Sequence, residues 1–143
     1  MTGSAPMPWL ESLFGFQGRL GRLRFFGLTC LNGITFGLMF LFGLYMIHLH
    51  SLTVGGILAV AGFILTTWAT LALQWKRLHD LGHSGWYAIG IVLFSDATQI
   101  VARYHRLAAL IPDLIVLAAG IVLLFARGTA GPNRYGQGPN LLA

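Results

Sequence analysis

Charge is what this chain has least of. Lysine, arginine, aspartate and glutamate make up 9% of its 143 residues, while 56% are hydrophobic; an average soluble domain is about 25% charged. Such a surface is excluded from having water as its main solvent. Cysteine is nearly absent: Cys30 is the single one and lies inside an apolar run, which excludes an intrachain disulfide or a cysteine metal cluster. No H-E-x-x-H pattern and no serine or cysteine nucleophile on a recognisable elbow occurs, so the sequence shows neither zinc-hydrolase nor nucleophilic-hydrolase signatures. The formal net charge is +5, yet no basic stripe on a soluble domain and no base-stacking module goes with it, which argues against nucleic acid as a partner.

What the chain does have is long apolar runs. Four can be marked, at 25–47, 52–75, 86–101 and 107–126, and about 20 such residues in a helix cross a hydrocarbon core of roughly 30 Å. The expected fold is therefore all-α, a polytopic membrane helical bundle of four transmembrane helices. An N-terminal segment 1–24 precedes the transmembrane domain 25–127, and a tail rich in glycine, proline and asparagine, 128–143, follows it. The first run exceeds the roughly 7–15 residues of a signal-peptide core and no small-x-small site closes it, so it reads as a retained span. The third is the weakest, being short and carrying Ser95, Asp96, Thr98 and Gln99; the fourth has Pro112 and Asp113 near its start, as a first helical turn tolerates, which puts the expected start of that helix nearer Pro112.

Basic residues in short loops stay on the cytoplasmic side. With both termini inside, Arg19, Arg22, Arg24, Lys76, Arg77, Arg127 and Arg134 are cytoplasmic, and Arg103 and Arg106 lie outside. A three-span arrangement, in which the third and fourth runs form one broken element, remains the alternative. Trp75 and Trp86 flank the segment "KRLHDLGHSGW", as aromatic rings do at a headgroup boundary. Small residues let helices approach in lipid; Gly33 with Gly37 on the first run, and Gly55 with Ala59 on the second, are the expected packing pairs.

Three polar blocks interrupt the apolar pattern: "GRLGRLRFF" at 18–26, "KRLHDLGHSGW" at 76–86 and "GTAGPNRYGQGP" at 128–139. Together they resemble the domain-of-unknown-function 805 family of small bacterial inner-membrane proteins. The resemblance rests on Gly18, Arg19, Arg22, Phe25 and Phe26; on Arg77, His79, Asp80, Ser84, Gly85 and Trp86; and on Gly128, Gly131, Asn133, Tyr135, Gly136 and Pro139. It implies a multi-pass protein of the bacterial inner membrane and assigns no reaction. Tryptophan is common in relatives where Phe26 stands, and relatives have a shorter stretch than the one here between Trp86 and Pro112.

In the four-span arrangement all three blocks fall on the cytoplasmic side and form a polar cap. Its candidate residues are Arg19, Arg22, Arg77, His79, Asp80, Ser84, Asn133, Arg134 and Tyr135. Guanidinium binds phosphate bidentately, and basic pockets at cytoplasmic span ends bind anionic headgroups. The leading reading is a non-enzymatic interaction or anionic-lipid-sensing module, with a homo-oligomer or membrane-protein partner as further expectations. In a structural version, Asp80 accepts hydrogen bonds from Arg19, Arg22 or Arg77 and locks the loops together. Two rival classes exist: a small ion or solute transporter using the intramembrane acids Asp96 and Asp113, and a lipid-modifying enzyme using His79 as general base beside Asp80. His79 with His83, or His48 and His50 with His105, would be weak metal sites; no metal and no cofactor are expected.

Overall fold

The computed structural model describes residues 13–137. Four long helices lie within the described residues: α1 (Arg22–His48), α2 (Leu52–Asp80), α3 (Trp86–Tyr104) and α4 (Arg106–Phe125). Among the described residues there is no strand, only an isolated bridge between Asn133 and Gly136. At about 1.5 Å per residue, α1 and α2 each extend roughly 40 Å. They and α4 are long and apolar enough to cross a membrane; the more polar α3 does not reach that standard. The chain is thus an all-helical membrane protein. α1 runs along α2 and α3 along α4, while α2 also packs on α3 and α1 on α4, so the helices form a ring.

Most large apolar side chains point outward, among them Leu38, Leu41, Ile57, Ile64, Leu114 and Leu117. In lipid this is the expected distribution, because tails are as apolar as leucine and do not drive such groups inward. The buried apolar cluster is small: Leu20, Phe25, Leu73, Leu78, Ala88 and Leu123. It gathers where α1 and α3 begin and α2 and α4 end. There α2 is buried continuously from Lys76 to Asp80, a helix end enclosed on every side.

The connections follow from helix-end chemistry. Both α1 and α2 close in Schellman motifs, which pair the last carbonyls with two amides beyond the helix and need a residue in the left-handed region. At the end of α2, His83 N donates to Leu78 O at 2.9 Å and Gly82 N to His79 O at 3.1 Å, with Gly82 at φ +80. At the end of α1, Ser51 N donates to Met46 O and His50 N to Ile47 O, both at 3.0 Å. His50 takes the left-handed position at φ +60. The first five residues of "KRLHDLGHSGW" therefore close a helix, and only Leu81–Gly85 form the loop.

Two expectations need correction. The fourth helix runs from Arg106 to Phe125, matching the apolar run marked at 107–126, so the shift of its start toward Pro112 does not hold and Pro112 lies inside it. A single extended residue, His105 at φ −141 and ψ 80, breaks the chain between α3 and α4 and sets that start. Gly33 and Gly37 do not pack against α2, since a Cβ at either would meet nothing within 4 Å. The close approach uses Gly43 instead. A Cβ on Gly55 would come within 2.6 Å of the Gly43 carbonyl oxygen, and one on Gly43 would lie 3.8 Å from the Ala59 Cβ. Gly62 similarly faces Met39. The packing face of α1 runs through Met39, Gly43 and Ile47, and the helical period turns Gly33 and Gly37 away from it.

Candidate functional site

The site is built around the last turn of α2. Arg77 and Asp80 stand three apart on one helical face, with side chains 0% and 2% exposed. Arg77 Nε donates to Leu123 O and Nη2 to Ala126 O, both at 2.6 Å. These are end carbonyls of α4, which lack intrahelical partners and carry the negative pole of the helix dipole. Arg77 Nη1 donates to Asp80 Oδ2 and, at 3.4 Å, to Leu20 O. One side chain therefore holds the end of α4, the end of α2 and the segment leading into α1.

The other carboxylate oxygen receives Arg19. Its Nε and Nη2 donate to Asp80 Oδ1 at 3.1 and 3.0 Å, and the Arg19 side chain is 1% exposed. The remaining donors of Arg19 reach the tail: Nη1 to Gly131 O and Nη2 to Thr129 O, both at 2.6 Å. Asp80 is thus a single anion between two buried guanidiniums, whose residual positive charge is faced by backbone carbonyls.

The tail docks by supplying donors to the end of α2. Thr129 N donates to Asp80 O at 2.8 Å, and Asn133 Nδ2 to His79 O at 3.0 Å. Asn133 Oδ1 accepts from Tyr135 N at 2.9 Å, a local turn of the kind asparagine makes two residues on. That turn lays the Tyr135 ring flat on His79, with centroids 3.8 Å apart and planes 6° apart. Arg134 covers the outer face of Tyr135, its Cζ 4.7 Å from the ring centroid, within cation–π range. His79 Nδ1 lies 3.3 Å from Gly18 O. Gly128 is required by proximity: a Cβ there would fall 2.2 Å from Asp80 Oδ2. Gly85 is required likewise, since its Cβ would enter the Trp75 ring.

The structure thus brings Arg19, Arg77, His79, Asp80, Asn133, Arg134 and Tyr135 together. Arg22 is exposed at the start of α1, and the ion pairs of Asp80 go to Arg19 and Arg77. Ser84 sits half-buried in the loop and offers its carbonyl to Tyr87 N at 3.3 Å. Pro139 lies outside the described residues. Because every guanidinium nitrogen of Arg19 and Arg77 is engaged by a protein acceptor, neither presents an open fork to a phosphate. The cations left on the cap surface are Arg22, Arg24, Arg127 and Arg134, all exposed. Thr129 and the carbonyls of Leu20, Leu123 and Ala126 are the participants that the sequence reading did not name. Thr129 carried a faint signal, as a hydroxyl beside a glycine in the third block; backbone carbonyls carry none.

The two acids of the third and fourth apolar runs part company. Asp96 lines a cavity between the helices, whereas Asp113 is half-buried on α4 away from it. His48, His50 and His105 are exposed, and no cluster of three metal-ligating side chains occurs among the described residues. α2 ends at Asp80, so His79 and His83 do not share a helical face.

No solved structure matches the chain. It is 34% identical over 135 residues to the uncharacterized protein YiiR of Escherichia coli strain K12, covering 87% of this chain and 86% of that one. YiiR of Escherichia coli O157:H7 matches to the same extent. The family described as protein of unknown function (DUF805) matches residues 13–137, which contain the buried Arg19–Asp80–Arg77 centre and the tail segment that closes over it. The chain belongs to the DUF805 family.

Proposed function

We propose that this is a multi-pass protein of the bacterial inner membrane, both ends cytoplasmic, whose cap is a non-enzymatic module that engages anionic lipid headgroups. The observation that carries the reading is the division of labour among arginines. Arg19 and Arg77 are closed inside the cap with Asp80, and Arg22, Arg24, Arg127 and Arg134 are left exposed at the same end. The internal lock fixes the platform, and the outer arginines supply charge at headgroup level. Orientation is supported by the same distribution, since the opposite end carries only Arg103 and Arg106 and basic residues are retained inside. Binding is favoured over hydrolysis because His79 is stacked under Tyr135 and turned to the Gly18 carbonyl, a poor setting for a general base.

The test is retention of anionic lipid by the purified chain, read by native mass spectrometry from mixed phosphatidylglycerol and phosphatidylcholine bilayers. A juxtamembrane basic residue contributes about 1 kcal/mol toward an anionic surface. The double variant Arg22→Gln with Arg134→Gln should therefore retain roughly thirtyfold less phosphatidylglycerol. Unchanged retention in a folded double variant rejects the proposal.

A further inference from the structure

The interior of the helix ring is not filled. A cavity of about 330 Å³ lies between all four helices, within the roughly 300–1,000 Å³ of small-ligand pockets. Asn32 of α1, Thr70 and Gln74 of α2 and Asp96 of α3 supply its polar wall, while Phe36 and Phe63 supply part of its apolar one. Asp96 is ten residues along α3, about 15 Å from its start, so the carboxylate is at mid-bundle depth. An acid there costs about 2.5–3.5 kcal/mol on insertion scales and ordinarily faces a partner or water. The ion pairs among the described residues belong to Asp80, not to Asp96.

Part of the polar wall is hydrogen-bonded by the helices themselves and part of it is not. Asn32 Nδ2 donates to Thr66 O at 3.1 Å and to Thr70 Oγ1 at 2.9 Å. Thr70 Oγ1 donates to Thr66 O at 2.8 Å, and Thr66 Oγ1 to Gly62 O at 2.7 Å. These donors are already engaged, Asn32 across α1 and α2 and the threonines within α2. What is left over includes three acceptors, the Asp96 carboxylate, Asn32 Oδ1 and Gln74 Oε1, a buried oxygen with no hydrogen-bond partner, beside the neutral donors Gln74 Nε2, Thr67 Oγ1 and Ser95 Oγ. Asp96 is the one acidic side chain of that wall and no basic side chain lines it, which makes the cavity complementary to a cation that carries N–H donors. Its volume and aromatic wall exceed what a bare ion would fill.

We propose that the bundle interior is a binding site for a small organic ammonium ion, its head among Asp96, Gln74 and Asn32 and its apolar body against Phe36 and Phe63. The site is separate from the cap and does not depend on the headgroup reading. It is tested on the full chain in phosphatidylcholine nanodiscs, which lack anionic lipid, with n-butylammonium as probe and sodium ion and 1-butanol as controls. Two signals are read: the thermal unfolding midpoint, and the rate at which a methanethiosulfonate reagent labels a cysteine placed at the cavity wall by Thr67→Cys in a Cys30→Ser background. Butylammonium should raise the midpoint and slow labelling at least fivefold, butanol should do neither, and Asp96→Asn should remove both effects. Should Asp96→Asn fail to fold, Gln74→Met carries the test, with an expected loss of affinity of at least threefold. Equal protection by sodium assigns the site to a bare ion and overturns the proposal. So does protection by butanol, an absence of protection by butylammonium, or protection that survives the substitutions.

Discussion

Asp80 is one negative charge held between two buried positive ones, and removing it leaves both guanidiniums without their counterion. Breaking a buried pair by deleting one partner destabilises by about 3–5 kcal/mol, because an uncompensated charge stays in a poorly solvated place. Asp80→Asn is expected to lower stability by that amount, measured by denaturant titration of the purified protein in detergent. Arg77→Lys is expected to fall short of wild type as well, since an ammonium on a single stem cannot reproduce the planar fork that reaches Leu123, Ala126 and Asp80 together. Gly128→Ala acts on the same centre by volume: its Cβ would lie 2.2 Å from Asp80 Oδ2. The tail must withdraw, at a cost of about 1–3 kcal/mol typical of overpacking. Increased proteolysis after residue 128 in Gly128→Ala is the readout.

At the scale of elements, two classes of glycine separate cleanly. Gly43 and Gly55 let α1 and α2 approach backbone to backbone, whereas Gly33 and Gly37 face open space. Gly55→Ala is expected to destabilise the pair by about 1–3 kcal/mol. Gly33→Ala and Gly37→Ala should be neutral or stabilising by up to about 1 kcal/mol, since alanine is the better helix former. Equal effects at all three positions, in thermal unfolding, would contradict the packing described. The turn between the same helices holds a second opportunity. His50 occupies a left-handed conformation that costs an L-residue roughly 1–2 kcal/mol, so His50→Gly is expected to raise the unfolding midpoint.

For the whole molecule, the ring arrangement puts residues 18–22, the end of α2 and the 123–136 segment at one end. That end is knitted by hydrogen bonds between residues as far apart in sequence as Arg19 and Gly131. The described N-terminal segment and the tail therefore meet on one side. Single cysteines introduced by Ser84→Cys and Gln137→Cys in a Cys30→Ser background should both be shielded from an impermeant reagent in intact cells and labelled after permeabilisation. Labelling of the second from outside would show an odd number of crossings between them. Both positions lie within the described residues, so the assay reads the cap and not the segments beyond it.

Solvent class, helix content and the identity of the polar blocks were determined by the sequence alone. Long uncharged runs leave the backbone no option in lipid but internally bonded helices, and polar clusters that interrupt such runs are conspicuous. Arg19, Arg77, Asp80 and Asn133 could be nominated on that ground. Their division of roles could not. Which arginine faces Asp80 and which stays outside depends on how helix ends separated by tens of residues meet, and a backbone carbonyl that accepts a guanidinium leaves no mark in residue types. The packing glycines failed for a related reason: small residues are frequent throughout α1, and only the rotation of one helix against another selects Gly43 over Gly33 and Gly37. Asp96 was visible as an acid in an apolar run. That it borders a cavity with Asn32 and Gln74, while Asp113 does not, is a property of the closed ring of helices, which exists only after all four have packed.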